Sequence, residues 1–113
     1  MMNLDGVRMT VVQTAESGIV NRETVFTFQQ TGDLVSAHYA GGSVASGYLV
    51  GRMDDDRLEF RYCQADLSGG LDGGRSDCTL ERLDDGRLRL IERFEWVSRP
   101  GAGENVFEQV SDN

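Results

Sequence analysis

The feature that most constrains this chain is its punctuation. Turn-forming residues interrupt it at Ser17-Gly18, Thr31-Gly32-Asp33, Gly41-Gly42, Asp54-Asp55-Asp56, residues 68–74, Asp84-Asp85-Gly86 and residues 99–103, which leaves eight short segments. Within them β-branched and aromatic residues alternate with polar ones, as in Val7-Arg8-Met9-Thr10-Val11 and Leu88-Arg89-Leu90-Ile91-Glu92-Arg93-Phe94. That is a period of two, the pattern of half-buried strands, and no stretch keeps a helical period beyond a turn or two. Short connections throughout favour sequential hairpins over long crossovers. In a meander of eight strands the last can pair with the first, and closure removes both exposed sheet edges. The expected fold is therefore all-β, an eight-stranded antiparallel up-and-down barrel, with residues 1–113 forming a single domain. At 113 residues folding buries roughly 60–70% of the unfolded surface, enough for one core without a metal or disulfide staple.

The hairpin from Arg75 to Trp96 tests the register. A three-residue loop with Gly86 in the left-handed position sets Leu83 opposite Arg87, Glu81 opposite Arg89 and Asp77 opposite Arg93. Two opposite-charge pairs mark that face as the solvent face. Ser76, Cys78, Leu80, Leu90, Glu92, Phe94 and Trp96 then point inward. In the preceding segment Leu58, Phe60, Tyr62 and Gln64 share the inward phase and Cys63 points out. Cysteines on opposite faces of paired strands cannot meet disulfide geometry, so Cys63 and Cys78 are expected as free thiols. For the second hairpin, a two-residue Thr31-Gly32 turn would pair Phe28 with Val35 and Phe26 with Ala37, placing Tyr39 inside and His38 outside.

Composition removes several functions. Nineteen acidic against 11 basic residues leave a net charge of −8, a field that repels phosphate backbones and anionic membranes, so neither nucleic acid nor membrane is an expected partner. All 11 basic residues are arginine, which removes Schiff-base and phosphate-loop lysines, and a single histidine, His38, removes two-histidine metal sites. No metal or cofactor is expected. Asp54-Asp55-Asp56 lacks the alternating ligands of a calcium loop and reads as a solvated turn. Residues 69–74 lack the helix and lysine of a phosphate cradle and read as a connection whose tip, Leu71, can lie over a barrel mouth. No nucleophile-elbow motif accompanies His38, Ser36 or Ser46, so no catalytic residue is assigned. The start of the chain has neither a basic nor an apolar leader pattern, and two cysteines make no framework, so a reducing cytoplasm is the expected location.

The candidate site is the inward set of polar and aromatic groups: Tyr62, Gln64, Ser76, Glu92 and Trp96, with Phe26, Tyr39 and Tyr48 assigned to the same side. An eight-stranded barrel is wide enough to be filled by side chains or to hold one small ligand. Large apolar walls with a few convergent hydrogen-bonding groups suit a small-molecule pocket. The alternative is a cluster that satisfies itself, Glu92 with the Tyr62 hydroxyl and the Gln64 amide, and the two readings carry equal weight. A buried Glu92 needs hydrogen bonds from Tyr62, Gln64 or Ser76, a cation such as Arg22 or Arg82, or a proton.

Gly86-Arg87-Leu88-Arg89-Leu90, continuing to Glu92, Phe94 and Trp96 and followed by a glycine-rich loop and Asn105-Val106-Phe107-Glu108, resembles small bacterial proteins of avidin-like, calycin-type barrel fold. Glu23-Thr24-Val25-Phe26, Gly32-Asp33, Tyr39 through Gly41-Gly42, Gly47 with Leu49, and Arg61-Tyr62 with Gln64 add to the resemblance, which spans nearly the whole chain. It implies a non-enzymatic small-molecule-binding barrel of unknown ligand. The alternative is an oligomeric interaction module with a packed interior. Barrels of this type associate through their outer sheet face, where Val12, Val25 and Ile91 are available, so a homodimer or higher homo-oligomer is expected. Members often carry the name N-acetylglutamate synthase. An acetyltransferase of the common fold needs a strand-to-helix loop of Arg/Gln-x-x-Gly-x-Gly/Ala type, and the closest stretch, Arg99-Pro100-Gly101-Ala102-Gly103, is one residue short and lies between two strands. Biotin sites of true avidins use several tryptophans, and with Trp96 alone no biotin-contacting residue carries across.

Overall fold

The computed structural model describes residues 2–110. Eight strands follow one another: β1 (Arg8–Gln13), β2 (Val25–Thr31), β3 (Leu34–Gly41), β4 (Val44–Asp54), β5 (Arg57–Asp66), β6 (Leu71–Arg82), β7 (Leu88–Trp96) and β8 (Ala102–Gln109). Each pairs antiparallel with its sequence neighbours, and β8 returns to β1 to close the barrel. The expected all-β up-and-down architecture is the observed one. No helix forms among the described residues.

The hairpin used to set the register folds as expected. Leu83 N–H donates to Arg87 C=O at 2.8 Å, Gly86 N–H to Leu83 C=O at 2.9 Å, and Gly86 sits at φ +89°. Asp77 lies opposite Arg93 and Glu81 opposite Arg89. The β2–β3 hairpin corrects the reading. Its two turn residues are Gly32-Asp33 and not Thr31-Gly32, because Thr31 pairs with Leu34, Phe28 with Ala37 and Phe26 with Tyr39. The reason is local: with a positive φ at one residue only, a two-residue hairpin turn needs it at the first of its two central positions, and Gly32 supplies it there at +62° with Asp33 second, whereas Thr31 in that place would have to adopt it. The pairing slides by two residues, which preserves the alternation, so Phe26, Phe28, Val35, Ala37 and Tyr39 are still buried and His38 exposed.

The two ends of the barrel differ. One is plugged by the chain before β1, where Leu4 is fully buried, its N–H donates to Gln30 Oε1 at 3.0 Å, and Gly6 N–H donates to Phe28 C=O. Below it lies an apolar half that includes Met9, Val11, Leu58, Cys78, Leu80, Leu90 and Phe107. The other end carries the β1–β2, β3–β4, β5–β6 and β7–β8 connections. There the buried polar residues Gln64, Ser76, Glu92 and Asn105 stand among aromatic rings.

Candidate functional site

The polar end is built on glycines that let side chains reach across a strand. Gly47 of β4 lies directly between Tyr39 of β3 and Gln64 of β5. A Cβ at position 47 would stand 2.4 Å from two carbons of the Tyr39 ring, far inside contact distance. With no side chain there, Tyr39 crosses β4 and its hydroxyl donates to Gln64 Oε1 at 2.8 Å, while its ring stacks on Phe26 with centroids 4.3 Å apart. Gly74 of β6 performs the same service between Tyr62 and Trp96, whose rings meet edge to face at 5.6 Å.

Glu92 is 5% exposed. Ser76 Oγ donates to its Oε2 at 2.6 Å and Asn105 Nδ2 to its Oε1 at 2.9 Å. Burial pushes its carboxyl above the ordinary range, and these two hydrogen bonds pull it back only in part. Of the expected partners Ser76 is the one that meets it. Gln64 is engaged by Tyr39 instead, Tyr62 makes ring contacts with Phe60 and Trp96, and neither arginine turns inward: Arg22 donates to Val12 C=O at 3.5 Å and Arg82 to Gly86 C=O at 2.7 Å. The self-satisfying Glu92–Tyr62–Gln64 cluster does not form. Burial likewise raises the Tyr39 and Tyr62 hydroxyls well above the usual phenol range, with Glu92 adding to both.

One polar atom in this region has no partner. The Gln64 side chain is 4% exposed, and its Nε2 makes no hydrogen bond; among the described residues it is the single buried side-chain nitrogen or oxygen in that state. It lines a cavity of about 20 Å³. That is room for about one water molecule. Glu92, Tyr62, Trp96 and Asn105 share its wall, and Gly18, Ile19 and Val20 cover it.

Of the sequence-predicted residues, Phe26, Tyr39, Tyr62, Gln64, Glu92 and Trp96 line this cavity together, and Ser76 reaches it through Glu92. Tyr48 is a correction. It is 64% exposed on the outer face, its ring 4.8 Å from that of His38. The inward phase of β4 belongs to Gly47, Leu49, Gly51 and Met53, since Tyr39 and Phe60 already fill the space beside the glycines. Leu71 is a second correction: it is 72% exposed and covers nothing, and the cover comes from residues 14–24, between β1 and β2. Cys63 is exposed, Cys78 is buried, and both are free. Asn105 went unread. Its signal was available in the alternation of Asn105 and Phe107 along β8, whereas nothing in residues 14–24 announced a cover.

The outer face holds an apolar patch elsewhere than expected. Val12, Val25 and Ile91 are half-buried. Leu34, Tyr48 and Val50, on β3 and β4, are 44%, 64% and 57% exposed. Around them stand Thr27, Gln29, Ser36, His38 and Cys63, with Arg61 beside Glu59. Residues 97–101 connect β7 to β8, so the stretch from Arg99 to Gly103 runs from that loop straight into a strand and no helix follows it.

A closed eight-stranded meander with a polar, aromatic end under a loop defines a small up-and-down barrel. The family model described as avidin-like protein matches residues 2–110, and the chain belongs to that family. Comparisons with curated proteins and with solved structures found no match.

Proposed function

We propose that this barrel binds a small uncharged molecule at its polar end, without catalysis, and that Gln64 and Glu92 are its recognition pair. The observation that carries the reading is the unpartnered Gln64 Nε2. A buried amide donor left unmade costs roughly 1–3 kcal/mol, so the cavity beside it favours an occupant that can accept from it. An occupant with a hydrogen-bond acceptor removes that cost. Glu92 beside it offers an acceptor when ionised and a donor when protonated. An anion is disfavoured there, because Glu92 has no cation and the chain carries a net charge of −8. The resting cavity of about 20 Å³ fits one water, so a larger ligand displaces the covering residues. Two free thiols accord with a reducing compartment.

The experiment is native mass spectrometry of freshly purified protein, with Gln64→Met as the comparison. Methionine keeps the volume and removes the amide. A non-covalent mass increment on the wild type that the variant lacks supports the reading. Bare chains in both, together with no interior shift perturbation in an NMR screen of small neutral amides and alcohols, overturns it.

A second reading concerns association and rests on a separate observation. The patch of Leu34, Tyr48 and Val50 is bordered on one side by the uncharged Thr27, Gln29 and Ser36, and on the other by charges already matched within the chain, Arg61 with Glu59 and Arg52 with Asp33. It is where two copies can meet with least like-charge repulsion, and we propose it as the face of a symmetric homodimer. Light scattering on the wild type and Val50→Glu tests it. A mass near 25 kDa, about twice the 12.5 kDa of one chain, falling to one chain in the variant supports the dimer, and a single-chain mass for the wild type at all concentrations rejects it.

A further inference from the structure

We infer that residues 14–24 form a gate over the polar end, held shut by side-chain latches and able to open while the barrel stays folded. The argument starts from how this segment is attached. It lies outside the strand ladder, between β1 and β2. Its internal backbone hydrogen bonds are local turns, Gly18 N–H to Ala15 C=O and Thr24 N–H to Asn21 C=O, and among the described residues no backbone-to-backbone bond joins it to the barrel wall. At the tip facing the site, the ties run through side chains. Ala15 N–H donates to Asn105 Oδ1 at 2.8 Å, Trp96 Nε1 donates to Ser17 C=O at 3.0 Å, and Ser17 Oγ donates to Ala102 C=O at 2.9 Å. At its far end Thr24 Oγ1 donates to Gly41 C=O at 3.0 Å, which anchors a hinge next to β2. The seam beneath is also the shortest in the barrel: β1 pairs with β2 only from Arg8 opposite Thr27 to Thr10 opposite Val25.

A segment held this way opens locally, because three side-chain bonds and the cover of Ile19 and Val20 are lost without breaking a ladder. Asn105 makes the gate responsive to the site. Its Oδ1 holds the strap and its Nδ2 holds Glu92, so the same buried amide serves both. An occupant that takes over the Glu92 carboxyl competes with Asn105 and loosens the strap's latch. That last link rests on the small-molecule reading above; the opening itself does not.

The test uses the protein's single tryptophan. Trp96 is 7% exposed and bonded to the strap, so its fluorescence quenching by acrylamide reports strap opening. Hydrogen–deuterium exchange of residues 14–24 is read in parallel against amides of β5 and β6. In the wild type the Ala15 amide should exchange with a weaker denaturant dependence than the β5 and β6 amides. Asn105→Ala should raise the quenching constant at least about threefold and accelerate exchange in 14–24 alone. Ala15→Pro removes the strap's donor and leaves the Asn105–Glu92 bond in place, so it should act in the same direction and carries the test if Asn105→Ala fails to fold. Exchange of Ala15 only through global unfolding, quenching unchanged in both variants, or an effect of Asn105→Ala that Ala15→Pro does not reproduce would overturn the gate. A strap that opens over a barrel retaining no small molecule removes the proposed function and leaves the gate standing; retention without opening does the reverse.

Discussion

Gly47→Ala is a one-carbon change that tests how the polar end is held together. The added Cβ would lie 2.4 Å from Cε2 and Cζ of Tyr39, and the ring has little freedom to yield. Phe26 stacks on it at 4.3 Å, and its hydroxyl is tied to Gln64 at 2.8 Å. If the ring moves, the hydrogen bond breaks and Gln64, already short of one partner, loses the other. Overpacking of this kind costs about 1–3 kcal/mol. A buried amide left wholly unpaired costs about 1–3 kcal/mol more. Alanine normally gains about 0.5–1 kcal/mol over glycine in a strand, which is too little to offset them. The net loss is about 1–5 kcal/mol, and for a chain of this size roughly 4 °C per kcal/mol places the fall in melting temperature at about 4–20 °C. Thermal and urea melts measure it, and a double-mutant cycle with Tyr39→Leu isolates the cause. Removing the ring removes the collision, so the two changes should couple by at least about 1 kcal/mol. A melting temperature within a degree or two of the wild type, or strict additivity with Tyr39→Leu, refutes the argument that the glycine exists to let this ring cross the strand.

Other outcomes follow from the same geometry. Cys63 should alkylate in the native state and Cys78 only on unfolding; equal labelling of the two would mean the β5–β6 faces are wrong. Glu92→Gln should keep both hydrogen bonds, with its carbonyl accepting from Asn105 and Ser76 turning from donor to acceptor, so the barrel stays folded. Because burial raises the Glu92 carboxyl above 4.5 in the folded state, its contribution is fully present below that pH and is lost as pH rises through the folded value. Urea midpoints should therefore show the wild type losing ground to Glu92→Gln from about pH 4.5 upward, and a gain for the wild type on raising pH contradicts it. Asn105→Leu leaves Ala15 N–H and one Glu92 oxygen without their partner, and should destabilise by about 2–4 kcal/mol in a chemical melt; a change under 1 kcal/mol would show that water replaces the amide at no cost.

The strands and their faces were legible in the amino-acid order because both are local. Period-two alternation marks each strand, and a face is inherited two residues at a time, so even the misplaced Thr31-Gly32 turn left Phe26, Val35 and Tyr39 inside. Opposite charges at Asp77 and Arg93 declared the solvent side of one hairpin, and from there Glu92, Gln64 and Cys63 took their places by counting. Tyr48 shows where counting stops. A strand with apolar or small residues in both phases, such as Gly47-Tyr48-Leu49-Val50-Gly51, does not say which phase is inward. The answer came from the neighbouring strands, where Tyr39 and Phe60 had already filled the interior and only glycines could stand beside them.

Partners within the polar end depend on which strands become neighbours around the closed barrel, and that is a property of the whole ring of pairings. Tyr39 meets Gln64 across β4, and Glu92 meets Asn105 on β8; no spacing along the chain separates these bonds from the Glu92–Tyr62–Gln64 cluster that was equally open. The cover is further still from local control. Residues 14–24 have no alternation to read, and they lie over Gln64 and Trp96 because closure of β1 onto β8 carries them to the same end of the barrel as the β7–β8 loop. Strand identity and face were written in the order of residues, since each needs only its nearest neighbours, whereas the unpartnered amide, the uncompensated carboxyl and the strap above them exist only once eight strands have closed on one another.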